Sequence, residues 1–143
     1  MLEGKIFLEL KNQLSELDRL SQTLAEFRQR HHLPSKVLFD MHLALEEIVT
    51  NVISHGFEDS KEHHIKVSLF LEQGELRAEV EDDGTPFNPL EAPSPDTEGP
   101  LAERPVGGLG IHLVRNLMDE MVYQRQEGRN VLAMKKKVRA QEE

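Results

Sequence analysis

The chain's 143 residues suit one domain with its own core, and a formal net charge of −9, from 26 acidic against 17 basic residues, argues against direct nucleic-acid binding. With no cysteine, disulfide frameworks, thiolate zinc sites and cysteine nucleophiles are excluded. No apolar run approaches the roughly 20 residues that span a bilayer, and Met1-Leu2-Glu3-Gly4-Lys5 lacks a secretory pattern, so a soluble, cytoplasmic protein free of the membrane is expected.

Ile6, Leu8 and Leu10 alternate with polar neighbours, which predicts a first strand. From Ser15 the period changes. Leu14, Leu17, Leu20, Leu24 and Phe27 form a helical stripe whose start Ser15, with Asp18, would cap. Leu33-Pro34-Ser35 interrupts that helix, and Ser35 is the expected cap of a second one running to about Gly56. Ile65, Val67, Leu69 and Leu71, then Leu76, Ala78 and Val80, alternate on either side of Gln73-Gly74 and predict a hairpin. Residues 88–106 hold five of the seven prolines, and a loop of that length is a functional lid or a disordered segment. Gly107 to Gly110 opens a short helix to about Met118. A last hairpin pairs Met121 to Arg125 with Val131 to Lys135 around Glu127-Gly128-Arg129-Asn130. Lys135-Lys136-Lys137 with Arg139, the one basic cluster, reads as a solvated C-terminal tail. The order β-α-α-β-β-loop-α-β-β describes an α/β two-layer sandwich, with a mixed, mainly antiparallel sheet and helices on one face.

Three constellations carry chemistry. On the second helix Glu47 and Asn51 are one turn apart, and at about 100° per residue they lie along the edge of the apolar arc of Met41, Ala44, Leu45, Ile48, Val49, Val52 and Ile53. Glu46 falls on the polar side. A carboxylate and a carboxamide there are either ordinary boundary residues or part of a site; His55, nearer the helix end, is expected to pack or to bond that end. In Val80-Glu81-Asp82-Asp83-Gly84-Thr85-Pro86-Phe87, strand parity turns Asp82 toward the core and Asp83 away. An inward carboxylate needs a donor. Its own backbone in an Asp-Gly turn is one, and the exocyclic amino group of a purine is another. Gly107-Gly108-Leu109-Gly110 before Ile111, Val114 and Leu117 opens a helix whose N–H groups and dipole suit phosphate. It is neither a Walker A loop, having no Gly-Lys-Ser/Thr, nor a Rossmann fingerprint, having no strand before it.

In order and spacing, Glu47-x-x-x-Asn51, Asp82-x-Gly84-x-x-Phe87 after a hairpin, and Gly108-x-Gly110-Ile111 after a long loop resemble the N, G1 and G2 boxes of the GHKL (Bergerat) ATP-binding fold. The resemblance covers nearly the whole chain. The phrases Glu47-Ile48-Val49-Thr50-Asn51 and His55-Gly56-Phe57 look most like the bacterial anti-sigma factor serine-protein kinases. The resemblance implies a single histidine-kinase-like ATP-binding domain over residues 1–143, with an ATP lid over roughly 88–106. It implies Glu47 as general base, Asn51 as ligand of Mg2+, and Asp82, with Gly84 and Phe87, at adenine. It implies Gly108, Gly110 and Ile111 at the triphosphate, with Gly107 a looser addition and Arg104 near the terminal phosphate, although Arg104 is offset by two residues from the family's spacing. The implied reaction moves the γ-phosphoryl group of ATP to a serine of a STAS-domain anti-anti-sigma protein. A sigma factor is then the competing partner, and the chain a homodimer in partner switching and transcription regulation. The alternative is a nucleotide-binding module that sequesters a regulator without kinase activity. A histidine-kinase catalytic half is set aside for want of a phosphoacceptor hairpin. A metal hydrolase built on His31-His32 or His63-His64 is set aside because adjacent histidines diverge.

Overall fold

A computed structural model of the chain describes residues 2–91 and 108–138. Strands β1 (Leu2–Lys11), β2 (His64–Glu72), β3 (Glu75–Asp82), β4 (Glu120–Gln126) and β5 (Arg129–Lys137) form one sheet in the order β1-β2-β3-β5-β4. Every pairing is antiparallel among the described residues, so the mainly antiparallel sheet expected from the hairpins has no parallel member there. Alternation sorts the two faces. Leu10, Ile65, Val67, Leu69, Leu71, Leu76, Ala78, Val80, Leu132 and Met134 are buried. They pack with Leu20, Leu24 and Phe27 of α1 (Leu17–His31) and Met41, Ala44, Leu45, Ile48 and Val49 of α2 (Ser35–His55). Val114 of α3 (Gly108–Leu117) joins the same core. On the opposite face Phe7 is 67% exposed and meets Phe70 edge-on, while the guanidinium of Arg77 lies over the Phe70 ring.

Both hairpins close through two-residue turns with positive φ at each position, 41° and 79° at Gln73-Gly74 and 50° and 79° at Glu127-Gly128. Such turns twist in the sense of the strands they join. The second turn is therefore shorter than its sequence predicts: Arg129 and Asn130 already belong to β5, where Asn130 pairs with Asp82.

The expected caps are replaced by other contacts. Ser15 lies inside a 3-10 turn over Leu14–Glu16 and makes no cap; Leu14 leaves the apolar stripe and is 56% exposed. Instead Glu16 accepts the Lys11 N–H at 2.9 Å and the Arg19 guanidinium at 3.1 Å, which fixes the passage from β1 to α1. The Lys11 N–H is the chief reason the Glu16 carboxyl titrates below the usual range. Pro34, not Ser35, is the N-cap of α2, with no side-chain cap, and the Ser35 hydroxyl accepts from Arg28. The basic cluster is no tail over its described residues. Lys135, Lys136 and Lys137 pair within β5 against β3. Inward parity carries Lys136 to the Leu117 carbonyl at 2.7 Å and to Asp40 at 3.1 Å. Buried Asp40 also takes Lys36 at 2.7 Å. Burial raises the Asp40 pKa, but the two lysines more than offset that and hold it below the ordinary value.

Candidate functional site

The C-terminal half of α2 is where the three constellations meet. Glu46 is exposed while Glu47 and Asn51 are half-buried, as the helical wheel requires. Asn51 donates through Nδ2 to the Glu47 carbonyl at 2.9 Å and to Glu47 Oε1 at 3.2 Å. That fixes the amide so that its oxygen, a hard ligand, is the atom left to face a partner. Gly110 lies directly against Glu47: a Cβ at that position would fall inside the carboxylate. Only a residue without a side chain lets α3 approach the acid so closely. Gly108 is the first residue of α3, and Ile111 is buried at 4% exposure. Gly107 and Arg104 lie outside the described residues, as does the expected lid beyond Glu91.

At the end of β3 the parity argument is met: Asp82 is buried and Asp83 exposed. Asp82 Oδ1 accepts the Gly84 N–H at 2.8 Å and the Asn130 amide at 3.0 Å. Oδ2 receives no hydrogen bond from the described residues. Burial pushes the Asp82 carboxyl above its usual range, against the lowering effect of the Asn130 and Gly84 bonds. Both readings of the aspartate are thus present in one side chain, one oxygen closing the turn and the other open to a donor. Gly84 is also a space requirement, since a Cβ there would collide with the Gly56 carbonyl oxygen. That same oxygen accepts the Thr85 N–H at 2.8 Å, which docks the β3 turn on the end of α2. Phe87 is 48% exposed beside this turn.

Sequence reading missed Asn130, the hub of the turn. Buried at 7% exposure, it donates to Asp82 Oδ1 and, at 2.8 Å, to the Thr85 carbonyl. It accepts from the Phe87 N–H at 3.3 Å and from the Tyr123 hydroxyl. A polar residue sharing the parity of Leu132 and Met134 was the available signal. Arg125 adds a bond to the Gly84 carbonyl at 2.9 Å. His63, weighed in the sequence only with His64 as a metal pair, sits beside the same turn. It stacks on Phe57 with centroids 4.1 Å apart, and its nitrogens meet Asp59 at 2.7 Å and Asp83 at 3.2 Å. The Asp59 bond is the main reason its pKa rises, with Asp83 adding to it. His55, expected to pack or to bond the helix end, is exposed, and its side chain makes no hydrogen bond among the described residues.

The residues brought together suit a purine nucleotide and its metal. Asp82 Oδ2, which takes no hydrogen bond from the described residues, can accept from an exocyclic amine. Gly84 and Gly110 leave room that any side chain would fill, and Asn51 offers one oxygen to a cation that draws its other ligands from phosphates and water. No group of three or more His, Asp or Glu side chains suited to a metal occurs among the described residues, so the protein supplies no metal cage there.

The sequence profile of the family described as histidine kinase-like ATPase domain matches residues 10–136. The chain is similar to the serine-protein kinase RsbW of Listeria monocytogenes, 31% identical over 141 residues that cover 94% of this chain and 88% of that one. It is also similar to the serine/threonine-protein kinase BtrW of Bordetella bronchiseptica, 29% identical over 105 residues, 73% of this chain and 74% of that one. Among solved structures, that of the RsbU and RsbW domains of Rv1364c from Mycobacterium tuberculosis superposes with a TM-score of 0.69 at 18% identity. The match covers 94% of this chain and 32% of that one, and at such identity it shows the fold alone.

Proposed function

The chain belongs to the histidine kinase-like ATPase domain family, and from that premise we propose that it is an ATP-dependent serine-protein kinase of the anti-sigma type, whose phosphoacceptor is a STAS-domain anti-anti-sigma protein. The observation that carries the proposal is the contact of Gly110 with Glu47 beside Asn51, which sets the mouth of a helix against a carboxylate. Asp82 receives the adenine amine, and the turn through Gly84 and Phe87 receives the ring. The N-terminus of α3, from Gly108 to Ile111, receives phosphate, with Arg104 a further phosphate contact. The serine oxygen forms a bond to the γ-phosphorus while the bond from that phosphorus to the β-phosphate oxygen breaks, and Glu47 takes the hydroxyl proton. Asn51 Oδ1 would hold Mg2+, which when bound neutralises charge on the phosphate oxygens.

The names of the relatives in Listeria and Bordetella support the reaction class. The proposal extends to a sigma factor as the competing partner, to partner switching in a bacterial cytoplasm, and to a homodimer for which the open sheet face around Phe7 and Phe70 is a surface. No helix among the described residues is long and apolar enough to cross a membrane. The test is incubation with labelled ATP, Mg2+ and a STAS-domain protein. Phosphoserine should form with the wild type and not with Glu47→Gln, and tight ATP binding without transfer to any of several such proteins would sink the kinase reading.

One observation favours a second reading. The Asn51 amide already bonds Glu47 Oε1, which makes the acid a structural element of α2 in a nucleotide-binding module that sequesters its regulator. Such a module binds its regulator equally well as wild type and as Glu47→Ala.

A further inference from the structure

Strand register lines up three polar side chains at the end of the sheet that carries Asp82. Asp82 pairs with Asn130 across β3 and β5, and Asn130 pairs with Arg125 across β5 and β4. Directly opposed residues share a face, so a carboxylate, an amide and a guanidinium stand side by side on the inward face. The next inward row, Val80, Leu132 and Tyr123, already belongs to the core. Strand β4 is the edge of the sheet and is separated from β3 by β5. Arg125 is exposed, yet its Nη1 reaches back across the row to donate to the Gly84 carbonyl at 2.9 Å.

Two carboxylates follow each other at this turn. Asp83, turned outward, meets His63 from the segment before β2. Asp82, turned inward, has Asp83 beside it, Asn130 on β5 and Arg125 on β4. The end of α2 nearest the turn offers it only the Gly56 carbonyl, and Glu47 lies nine residues back, about 13 Å along the helix. Burial, with Asp83 adding to it, raises the Asp82 carboxyl, while the Asn130 and Gly84 bonds and the Arg125 charge lower it. Of the two charged neighbours that act on Asp82, Asp83 opposes its ionised form and Arg125 favours it. An ionised acceptor makes a hydrogen bond about twice as strong as a neutral one.

We propose that Arg125 is a positioning residue of the base site: from the edge strand it holds the Asp82–Thr85 turn by the Gly84 carbonyl and keeps Asp82 the charged acceptor that an adenine amine binds best. The inference rests on the nucleotide-binding part of the reading above, which the kinase and the sequestering module share. Arg125 acts through Gly84 and Asp82. Without it the turn spends less time in its binding form, and apparent affinity falls by that fraction. One partly exposed hydrogen bond of this kind is worth about a factor of five.

The experiment titrates the full chain with Mg-ATP by calorimetry from about pH 8 to about pH 5. Wild type is compared with Arg125→Met, Arg125→Lys and Arg129→Met, the last a control whose arginine pairs with Glu81 on the opposite sheet face. Taking the ratio of variant to wild-type Kd at each pH cancels the titration of the ligand itself. For Arg125→Met the ratio should be about five at the alkaline end and grow as pH falls, because Asp82 without its cation takes up a proton at higher pH. Arg125→Lys keeps the charge and should hold the ratio flat, and Arg129→Met should bind as wild type. Melting of the nucleotide-free protein gives a second reading. The deficit of Arg125→Met at pH 7 should shrink toward pH 3, and in an Asp82→Asn background it should be the same at both. A Kd ratio and a melting deficit that ignore pH would make Arg125 a merely structural bond and overturn the proposal. An unchanged Kd in Arg125→Met, or an equal change in Arg129→Met, overturns it too, with the nucleotide reading left standing. No binding of Mg-ATP by wild type sinks that reading and this inference with it.

Discussion

Replacing Asn130 with leucine tests whether the turn that carries Asp82 is held by that one side chain. The substitution keeps the volume and removes four hydrogen bonds. The bond to Asp82 Oδ1 is buried and charge-assisted, so its loss costs about 1.5–3 kcal/mol. The bonds with the Thr85 carbonyl, the Phe87 N–H and the Tyr123 hydroxyl are partly exposed. Water replaces part of each, leaving about 0.5 kcal/mol apiece. The sum is about 3–4.5 kcal/mol, and at a slope of about 2 kcal/mol per molar urea the midpoint falls by about 1.5–2.3 M. Equilibrium urea unfolding, followed by circular dichroism, measures it. Tyr123→Phe, which removes one of the weaker bonds, should shift the midpoint by only about an eighth as much. A fall under about 0.5 M for Asn130→Leu at unchanged slope would refute the assignment of Asn130 as the hub.

Three further outcomes follow from the site. Asp82→Asn should raise the melting temperature of the nucleotide-free protein at pH 7 while weakening ATP binding. The folded-state pKa of Asp82 is raised above 3.8, so its ionisation disfavours the fold as pH rises through that window, and the gain should vanish at pH 3; no gain at pH 7 would refute the burial argument. His63 has a folded pKa above the unfolded value of 6.5, so the stability of wild type over His63→Gln should be full below pH 6.5 and disappear as pH rises through the raised value, with a pH-independent difference counting against the Asp59 and Asp83 clamp. Gly110→Ala should cut phosphoryl transfer by about 100-fold, since displacing a catalytic group by about 1 Å costs that much; wild-type turnover would show that α3 need not approach Glu47 so closely.

What sequence made legible was what repeats locally. The helical wheel separated Glu46 from Glu47, and strand parity separated Asp82 from Asp83, because period and handedness are properties of a few residues. What it missed depends on residues far apart in the chain. Asn130 looked like turn chemistry beside Glu127-Gly128, yet its place is set by register with Asp82 across β3 and β5. Lys136 looked like part of a charged tail, yet β5 is an interior strand, and inward parity brings its ammonium to Asp40 and the end of α3. The Ser15 and Ser35 caps failed because the neighbouring Glu16 and Pro34 had already settled the helix entries. Gly110 was singled out for phosphate, while its contact with Glu47 follows from how α3 packs on α2.

The bond from Lys136 to the Leu117 carbonyl makes α3 a lever with its pivot at the C-terminal end. Gly110 stands seven residues from that pivot, about 10 Å along the axis, so a tilt of about 10° carries it about 2 Å relative to Glu47. Small rotations at that lysine are thereby geared up where Gly110 meets the Glu47 carboxylate. In the proposed kinase, turnover would depend on how stiffly one end of this ten-residue helix is moored as well as on the acid beside its other end.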